Sequence, residues 1–353
     1  MGSLAVAVDV ARAGALQLRS GVIQGCETTR PYAFTTEYVQ MLREAGIAAL
    51  NLTLATPQSS RGMSPEAWSF QNVIESIDEW EALARNLPAP GLILPVVKAV
   101  DIDEARRTGR VGLIYGLQGA GYWLDRRLSL LRTAYRLGVR VVGVSYMRRD
   151  IFADGAGEPG NASLSSLGER FVREMNHLGM VIDLSHTGRR ASLEAIERSE
   201  HPVIFSHSNV HALCPNPRNL WDDQIDAVAR NGGVVGIATL SPLVTAGAER
   251  RPTVDELVAH MDYIVQRIGP GHVALGWEYA HGRRPEDTEL PNLLYPDILG
   301  GRLRPETAHC EGADGPRDVV NVTTRLLARG YAPGDVTRIL YGNWRRVFGT
   351  VWH

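Results

Sequence analysis

The sequence predicts an α/β fold in which eight parallel strands and their helices close into a (β/α)8 TIM barrel. Three observations support this class. Short apolar runs alternate with segments of helical periodicity, as in parallel α/β sheets. Most of the runs are apolar at nearly every position, which is typical of strands buried on both faces. Their number is eight, the number of strands in such a barrel.

Seven of the eight predicted strands end at a polar or ionisable side chain. The strands are 20–26, 48–55, 111–118, 139–146, 180–186, 202–208, 233–240 and 272–278. At the end of each, or within two residues of it, stand Cys26, Thr53, Gln118, Tyr146, His186, His207, Leu240 and Glu278. The run at 91–100 is a candidate ninth strand. An open doubly wound sheet is the alternative fold, but no G-x-G-x-x-G follows the first strand to support it.

Helices are predicted between the strands and after the last one. Several of them stop at a glycine, which is a common C-terminal signal. The helical segments are 35–46, 126–138, 165–179, 189–200, 220–233, 317–330 and 332–348. We therefore expect one barrel domain over residues 1–353, with long loops at about 147–167 and 281–315 above the mouth, because these segments are rich in Gly, Pro and charge.

Charge and cysteine content exclude several classes of protein. The net charge of −2 gives no electrostatic basis for binding nucleic acid or an anionic membrane. Three cysteines are too few, and odd in number, for a disulfide framework. No run approaches the ~18 apolar residues of a membrane span, and the N-terminus lacks the pattern of a secretory signal. We expect a cytoplasmic protein.

The C-terminal strand ends of a barrel form its active site. His186 and His207 end neighbouring parallel strands, so their imidazoles should converge on one point. Neutral imidazole is a common zinc ligand, and a catalytic zinc usually has three protein ligands and a water. Asp183 and Ser185 are not expected to form a hydrolytic triad with His186, because neighbours along a strand face opposite sides; Asp183 is expected to anchor a loop or helix.

Arg218 lies in "CPNPRNL", a turn stiffened by prolines. A guanidinium binds carboxylates well, whereas the alternative is a surface arginine that caps a helix. We predict that Arg218 and its neighbour Asn219 bind substrate.

Taken together, "DLSH", "PVIFSHSN", "NPRNL" and "GGVVGI" resemble the membrane dipeptidase (renal dipeptidase-like) family of zinc peptidases. The resemblance implies a metallo-dependent hydrolase-like barrel with two zinc ions bridged by a glutamate, and cleavage of dipeptides. It implies that His186 and His207 hold one zinc and that Arg218 contacts the substrate carboxylate. Glu278 stands where the family has an aspartate. Family members often pair through the sides of their barrels, so a homodimer is also expected.

Several family ligands are replaced in this sequence. Cys26 and Thr28 stand where the family has a His-x-Asp pair, Gln118 stands in place of the bridging glutamate, and Tyr146 in place of a histidine. Without those carboxylates, two dications a few ångströms apart would repel each other strongly. We therefore predict one zinc ion at most, on His186, His207 and one of Cys26, Glu278 or Gln118, or no metal.

Three functions remain open from the sequence. The first is a hydrolase of a dipeptide or an amino-acid-derived amide. The second is a biosynthetic enzyme acting without hydrolysis on a carboxylate-bearing amino-acid-derived intermediate. In it Glu278, Tyr146, His186 and His207 would do acid–base work, or Cys26 would act as the nucleophile. The third is a non-catalytic binding protein, which the retained His pair and Arg218 disfavour.

Overall fold

The computed structural model describes residues 2–55, 69–87, 91–246, 250–282, 284–300 and 303–352. Its centre is a closed barrel of eight parallel strands, as predicted. The strands of the sheet are β1 (Val22–Glu27), β2 (Ile47–Ala55), β3 (Ile93–Pro95), β4 (Val111–Leu117), β5 (Val139–Gly143), β6 (Val181–Asp183), β7 (Ile204–Phe205), β8 (Val234–Ala238) and β9 (Val273–Tyr279). Pairing of β2 with β4 closes the ring.

The candidate ninth strand exists as β3, a short strand beside the ring. It pairs with the first half of β4, from Val111 to Leu113. The second half of β4 pairs instead with β5. β3 therefore fills the place beside β4 at the N-terminal end of the barrel, and the ring itself keeps eight strands.

Helices surround the barrel and connect its strands. They are α1 (Gly2–Ser20), α2 (Thr36–Glu44), α3 (Phe70–Asn86), α4 (Ala99–Thr108), α5 (Ala120–Leu124), α6 (Leu128–Arg136), α7 (Ser166–Leu178), α8 (Arg189–Arg198), α9 (Asp222–Asn231), α10 (Ser241–Val244), α11 (Val254–Ile268), α12 (Glu286–Leu294), α13 (Pro296–Leu299), α14 (Val319–Ala328), α15 (Pro333–Thr337) and α16 (Asn343–Val351). Their termini follow the sequence signals: Gly179 and Gly232, both left-handed, end α7 and α9.

The C-terminal helix packs into the barrel interior. The indole of Trp344 on α16 donates a hydrogen bond to the carbonyl of Leu275 at 3.0 Å. A Cβ on Gly25 would lie 2.5 Å from this ring, and one on Gly236 would lie 2.8 Å from it. Glycine is therefore required at both positions for the Trp344 ring to fit. The C-terminal strand ends are then available for a functional site.

The two segments expected to be loops above the mouth differ from each other. Residues 147–165 contain no helix or named strand. Residues 281–315 contain α12 and α13, because prolines at 285 and 296 stand at the starts of two short helices. Within the described ranges, no helix has both the length and the hydrophobicity needed to cross a bilayer.

Candidate active site

Two buried histidines meet at the C-terminal ends of β6 and β7. Nε2 of His186 lies 2.7 Å from Nε2 of His207. His186 has a φ of 70°, an uncommon conformation for a residue other than glycine. Burial and the nearby Arg218 guanidinium hold the pKa of both imidazoles well below the usual value. Both rings are therefore neutral and offer nitrogen lone pairs.

A chain of hydrogen bonds orients His207. Ser206 Oγ donates to Asp183 Oδ2 at 2.5 Å and lies 2.7 Å from His207 Nδ1. Asp183 Oδ1 also accepts from the amides of Ser185 and Ser206. Since the Ser206 proton points to Asp183, Nδ1 of His207 carries the hydrogen and donates it to Ser206. This assignment follows from the network, and it leaves the lone pair of His207 on Nε2, facing His186.

Asp183 therefore anchors the loop after β7, in agreement with the sequence-based expectation. Asp183 is linked to His207 through Ser206, and none of these hydrogen bonds joins it to the His186 ring. The second imidazole has its own neighbours. His186 Nδ1 lies 3.4 Å from the sulfur of Met147, and its ring stacks on Tyr146 with the ring centres 4.1 Å apart.

Glu278 is the third group that could hold a metal with the two histidines. Ligand atoms of His186, His207 and Glu278 all lie within 4.8 Å of one another. Trp277 and Glu278 both have positive φ, 64° and 59°, and this irregular backbone near the end of β9 carries the carboxylate to the histidines. Two imidazoles bound tetrahedrally to one zinc would have their nitrogens ~3.3 Å apart, so the rings need to separate only slightly.

The other side of the strand ends holds a neutral cluster. Gln118 Nε2 donates to Thr53 Oγ1 at 3.1 Å and to Cys26 Sγ at 3.5 Å. Burial, followed by the charge of Glu278, raises the pKa of the Cys26 thiol well above its usual value. Thr28 donates to the carbonyl of Tyr279. This cluster offers no negative charge to a cation.

Arg218 is buried next to His207. Its Nη2 donates to the carbonyl of His207 at 3.1 Å, and its Nη1 lies 3.4 Å from Ser208 Oγ. Its Nε is buried without a hydrogen-bond partner among the described residues. Burial lowers the pKa of this guanidinium, and Glu278 partly opposes the shift.

Asn219 is not brought to the cleft. Its amide nitrogen donates to the carbonyls of Cys214 and Leu243, at 2.9 and 2.8 Å. These contacts fix the turn that carries Arg218. The Oδ1 atom of Asn219 is buried without a hydrogen-bond partner among the described residues, and substrate binding by Asn219 stays a prediction.

A cleft opens above the site between the loops that follow the strands. Glu278, Tyr146, Gln118 and Thr28 line it, with Thr53 and Leu240 from the strand ends. The lining also includes residues that the sequence analysis did not single out, namely Arg30, Tyr32, Met147, Ala280, His281, Asp287, Pro291, Leu299 and Leu303. Burial raises the pKa of the Tyr146 phenol well above its usual value, so Tyr146 carries its proton. Among these additional lining residues, Met147 alone carries a sequence signal, because it directly follows the predicted strand 139–146.

Comparison with known proteins identifies the family. The family model described as membrane dipeptidase, peptidase family M19, matches residues 4–297. The chain belongs to this family. The expectations of family, barrel fold and dipeptidase-family hydrolase are thus confirmed.

Curated relatives cover most of the chain at about 30% identity. Dipeptidase tcpJ of Claviceps purpurea is 31% identical over 256 residues, which are 72% of this chain and 54% of that protein. An uncharacterised protein in the pqqA 5′ region of Klebsiella pneumoniae is 30% identical over 264 residues, 72% of this chain and 88% of that protein. The match thus spans about half the length of tcpJ and most of the Klebsiella protein.

Solved structures share the whole fold. An amidohydrolase from Pseudomonas aeruginosa superposes with a TM-score of 0.83 at 27% identity, covering 96% of this chain and 99% of that one. A metallopeptidase from Rhodobacter sphaeroides, liganded with a phosphinate mimic of the dipeptide L-Ala-D-Ala, superposes with a TM-score of 0.75 at 18% identity, covering 94% and 99%. The second likeness concerns the fold alone.

Proposed function

We propose that this protein hydrolyses the amide bond of a dipeptide or of a similar amino-acid-derived amide, using one metal ion. The observation that carries the proposal is the convergence of His186, His207 and Glu278, whose ligand atoms lie within 4.8 Å of one another at the strand ends. Two imidazoles and one carboxylate with an open fourth position are a common donor set for catalytic zinc. Zinc bound there would supply Lewis-acid polarisation of a carbonyl and activation of water.

The proposed metal content is one ion per chain, because the opposite cluster is neutral. Cys26, Thr53 and Gln118 are hydrogen-bonded to one another, and burial keeps the Cys26 thiol protonated by raising its pKa. A second dication would have no carboxylate from this cluster to offset its charge. At the low effective dielectric of a buried site, the repulsion between two such ions is larger than the stabilisation that neutral ligands give the second ion.

The protein's own residues would bind the substrate and stabilise developing charge. Arg218 would bind the substrate carboxylate, as the resemblance implies, and its unpartnered buried Nε supports this role. The protonated Tyr146 lines the cleft and would donate a hydrogen bond to the oxygen on which negative charge develops. Ser206 and Asp183 would hold His207 in the tautomer that leaves Nε2 free.

Non-hydrolytic cysteine chemistry is disfavoured by the state of Cys26. A nucleophilic cysteine needs a lowered pKa, and burial raises this one. The homodimer and the cytoplasmic location stay predictions; light scattering of the purified protein would test the first.

The function is tested by assaying the purified protein on Cys-Gly and Ala-Ala, with zinc or manganese added and with a chelator. We expect hydrolysis that the chelator abolishes and that returns when metal is restored. Absence of turnover with every metal would overturn the proposal. His177→Ala is a matched control for histidine substitutions, because His177 is exposed on α7, away from the strand ends.

A further inference from the structure

Arg30 is a second arginine at the candidate active site. It follows β1 and precedes Pro31, and its backbone is extended, with φ of −80° and ψ of 154°. Its carbonyl accepts a hydrogen bond from the amide of Ala33 at 3.0 Å. Its side chain lines the same cleft as Glu278 and Tyr146. A turn stiffened by proline therefore holds this cation at the mouth of the site.

The guanidinium of Arg30 has no hydrogen bond or ion pair with any described residue, although it is partly buried. Burial lowers its pKa, and the nearby Asp287 partly opposes the shift. The Oδ2 atom of Asp287 accepts from the Tyr32 hydroxyl at 3.1 Å and from the amide of Arg284 at 2.9 Å, and neither bond involves Arg30. By contrast, Arg148 on the loop after β5 is paired with Asp297.

A partly desolvated cation without an acceptor costs free energy, and an anionic ligand restores it. Guanidinium groups match carboxylates in shape and charge. The cleft already contains the carboxylates of Glu278 and Asp287, which would repel a doubly charged phosphate more than a singly charged carboxylate. The chemistry therefore favours a carboxylate as the ligand of Arg30.

We propose that Arg30 is a specificity-determining residue that binds a second carboxylate of the substrate. The preferred substrates are then acidic dipeptides or similar amides with two carboxylates, one bound by Arg218 and the other, on an acidic side chain, bound by Arg30. The inference rests on the proposed function in that it takes this cleft as the substrate site.

The test compares acidic dipeptides with their neutral amides. Hydrolysis of Ala-Glu against Ala-Gln, and of Glu-Ala against Gln-Ala, is measured for the wild type, Arg30→Gln and Arg284→Gln. Arg284→Gln is the control, because it removes a positive charge from the same mouth. Arg284 is exposed, and its Cζ lies 3.8 Å from the centre of the Tyr32 ring. We expect the wild type to prefer the acid in at least one pair by about tenfold or more in kcat/KM. Arg30→Gln should reduce that preference below about threefold, and Arg284→Gln should retain it.

Binding separates this inference from the proposed function. The same dipeptides are titrated calorimetrically into wild type and Arg30→Gln in the presence of a chelator. Acid-selective binding that Arg30→Gln loses supports the inference even if no dipeptide is hydrolysed. Hydrolysis without acid preference, or a preference that Arg30→Gln keeps, overturns the inference and leaves the proposed function standing. If the protein shows neither acid-selective binding nor turnover of any dipeptide, both the inference and the proposed function are overturned.

Discussion

The two halves of the strand-end site have similar burial and opposite capacity for a metal. The half after β6 and β7 presents two neutral imidazoles whose Nε2 atoms lie 2.7 Å apart, with Glu278 close by. The half on β1, β2 and β4 presents a thiol, a hydroxyl and an amide that bond to one another. In the first half one hydrogen bond joins the two Nε2 atoms, so a metal would replace the proton between them, whereas the second half offers only neutral groups bonded to one another.

This difference teaches that the barrel fixes positions while the residue types fix the chemistry. Cys26 and Gln118 occupy strand ends as well placed as those of His186 and His207. They offer no formal negative charge, and this is the basis for the proposal that the site holds one divalent ion, next to Glu278. Substitutions in each half therefore test whether the two halves differ in metal binding and catalysis.

Removing a ligand from the histidine half should have the largest effect. His207→Ala deletes one of the three converging groups, and a metal contributes several kcal/mol to catalysis, so turnover should fall by about 1,000-fold. Steady-state hydrolysis of Ala-Ala and metal analysis would check this. His177→Ala should keep the wild-type turnover and the wild-type metal content. Retained turnover in His207→Ala would show that the histidine half is not the catalytic half.

Loss of the Ser206 hydroxyl should weaken the same half without deleting a ligand. Ser206→Ala breaks the link between Asp183 and His207, and such losses typically cost about 10–100-fold in metal affinity. Zinc competition with a fluorescent chelator would measure it. Ser192→Ala removes another wholly buried hydroxyl and should leave affinity unchanged. Equal losses in the two variants would assign the effect to general destabilisation.

Charge restored to the neutral half should convert it into a metal site. The combination Cys26→His, Thr28→Asp and Gln118→Glu returns the residue types of the family and two carboxylates. We expect bound zinc to rise from one to two ions per chain, measured by equilibrium dialysis and elemental analysis. An unchanged zinc content in a correctly folded variant would mean that charge is not what distinguishes the halves.

The thiol alone should matter least. Because burial raises the pKa of the Cys26 thiol well above its usual value, the thiol is a poor nucleophile. Cys26→Ser should therefore keep turnover within about twofold. A loss of 100-fold or more, with folding intact by circular dichroism, would instead favour covalent chemistry at the half described as inert.

The sequence was sufficient for the barrel and for the convergence of the two histidines. Apolar runs located all eight strands of the ring, and neighbouring parallel strands must bring His186 and His207 to one edge. The link from Asp183 through Ser206 was not predictable, because it depends on the register between two short strands. The positive φ of His186, Trp277 and Glu278 also has no sequence signal, since glycine is the residue that marks such positions.

Positions set by loops were the least predictable. No sequence signal indicates that the amide nitrogen of Asn219 ties its turn to the carbonyls of Cys214 and Leu243. Met147 and Arg30 reach the site from segments that follow β5 and β1, and their side-chain directions depend on tertiary packing. Periodicity describes regular elements, so it gives no direction for side chains on irregular backbone.

The metal content of the purified protein tests the central claim most directly. The protein is stripped with a chelator, dialysed against excess zinc and then against buffer, and analysed for zinc per chain, with an anomalous map at the zinc edge to locate the ion. We expect one ion, bound by His186, His207 and Glu278. Two ions at full occupancy, or a site that takes up no zinc, would contradict it.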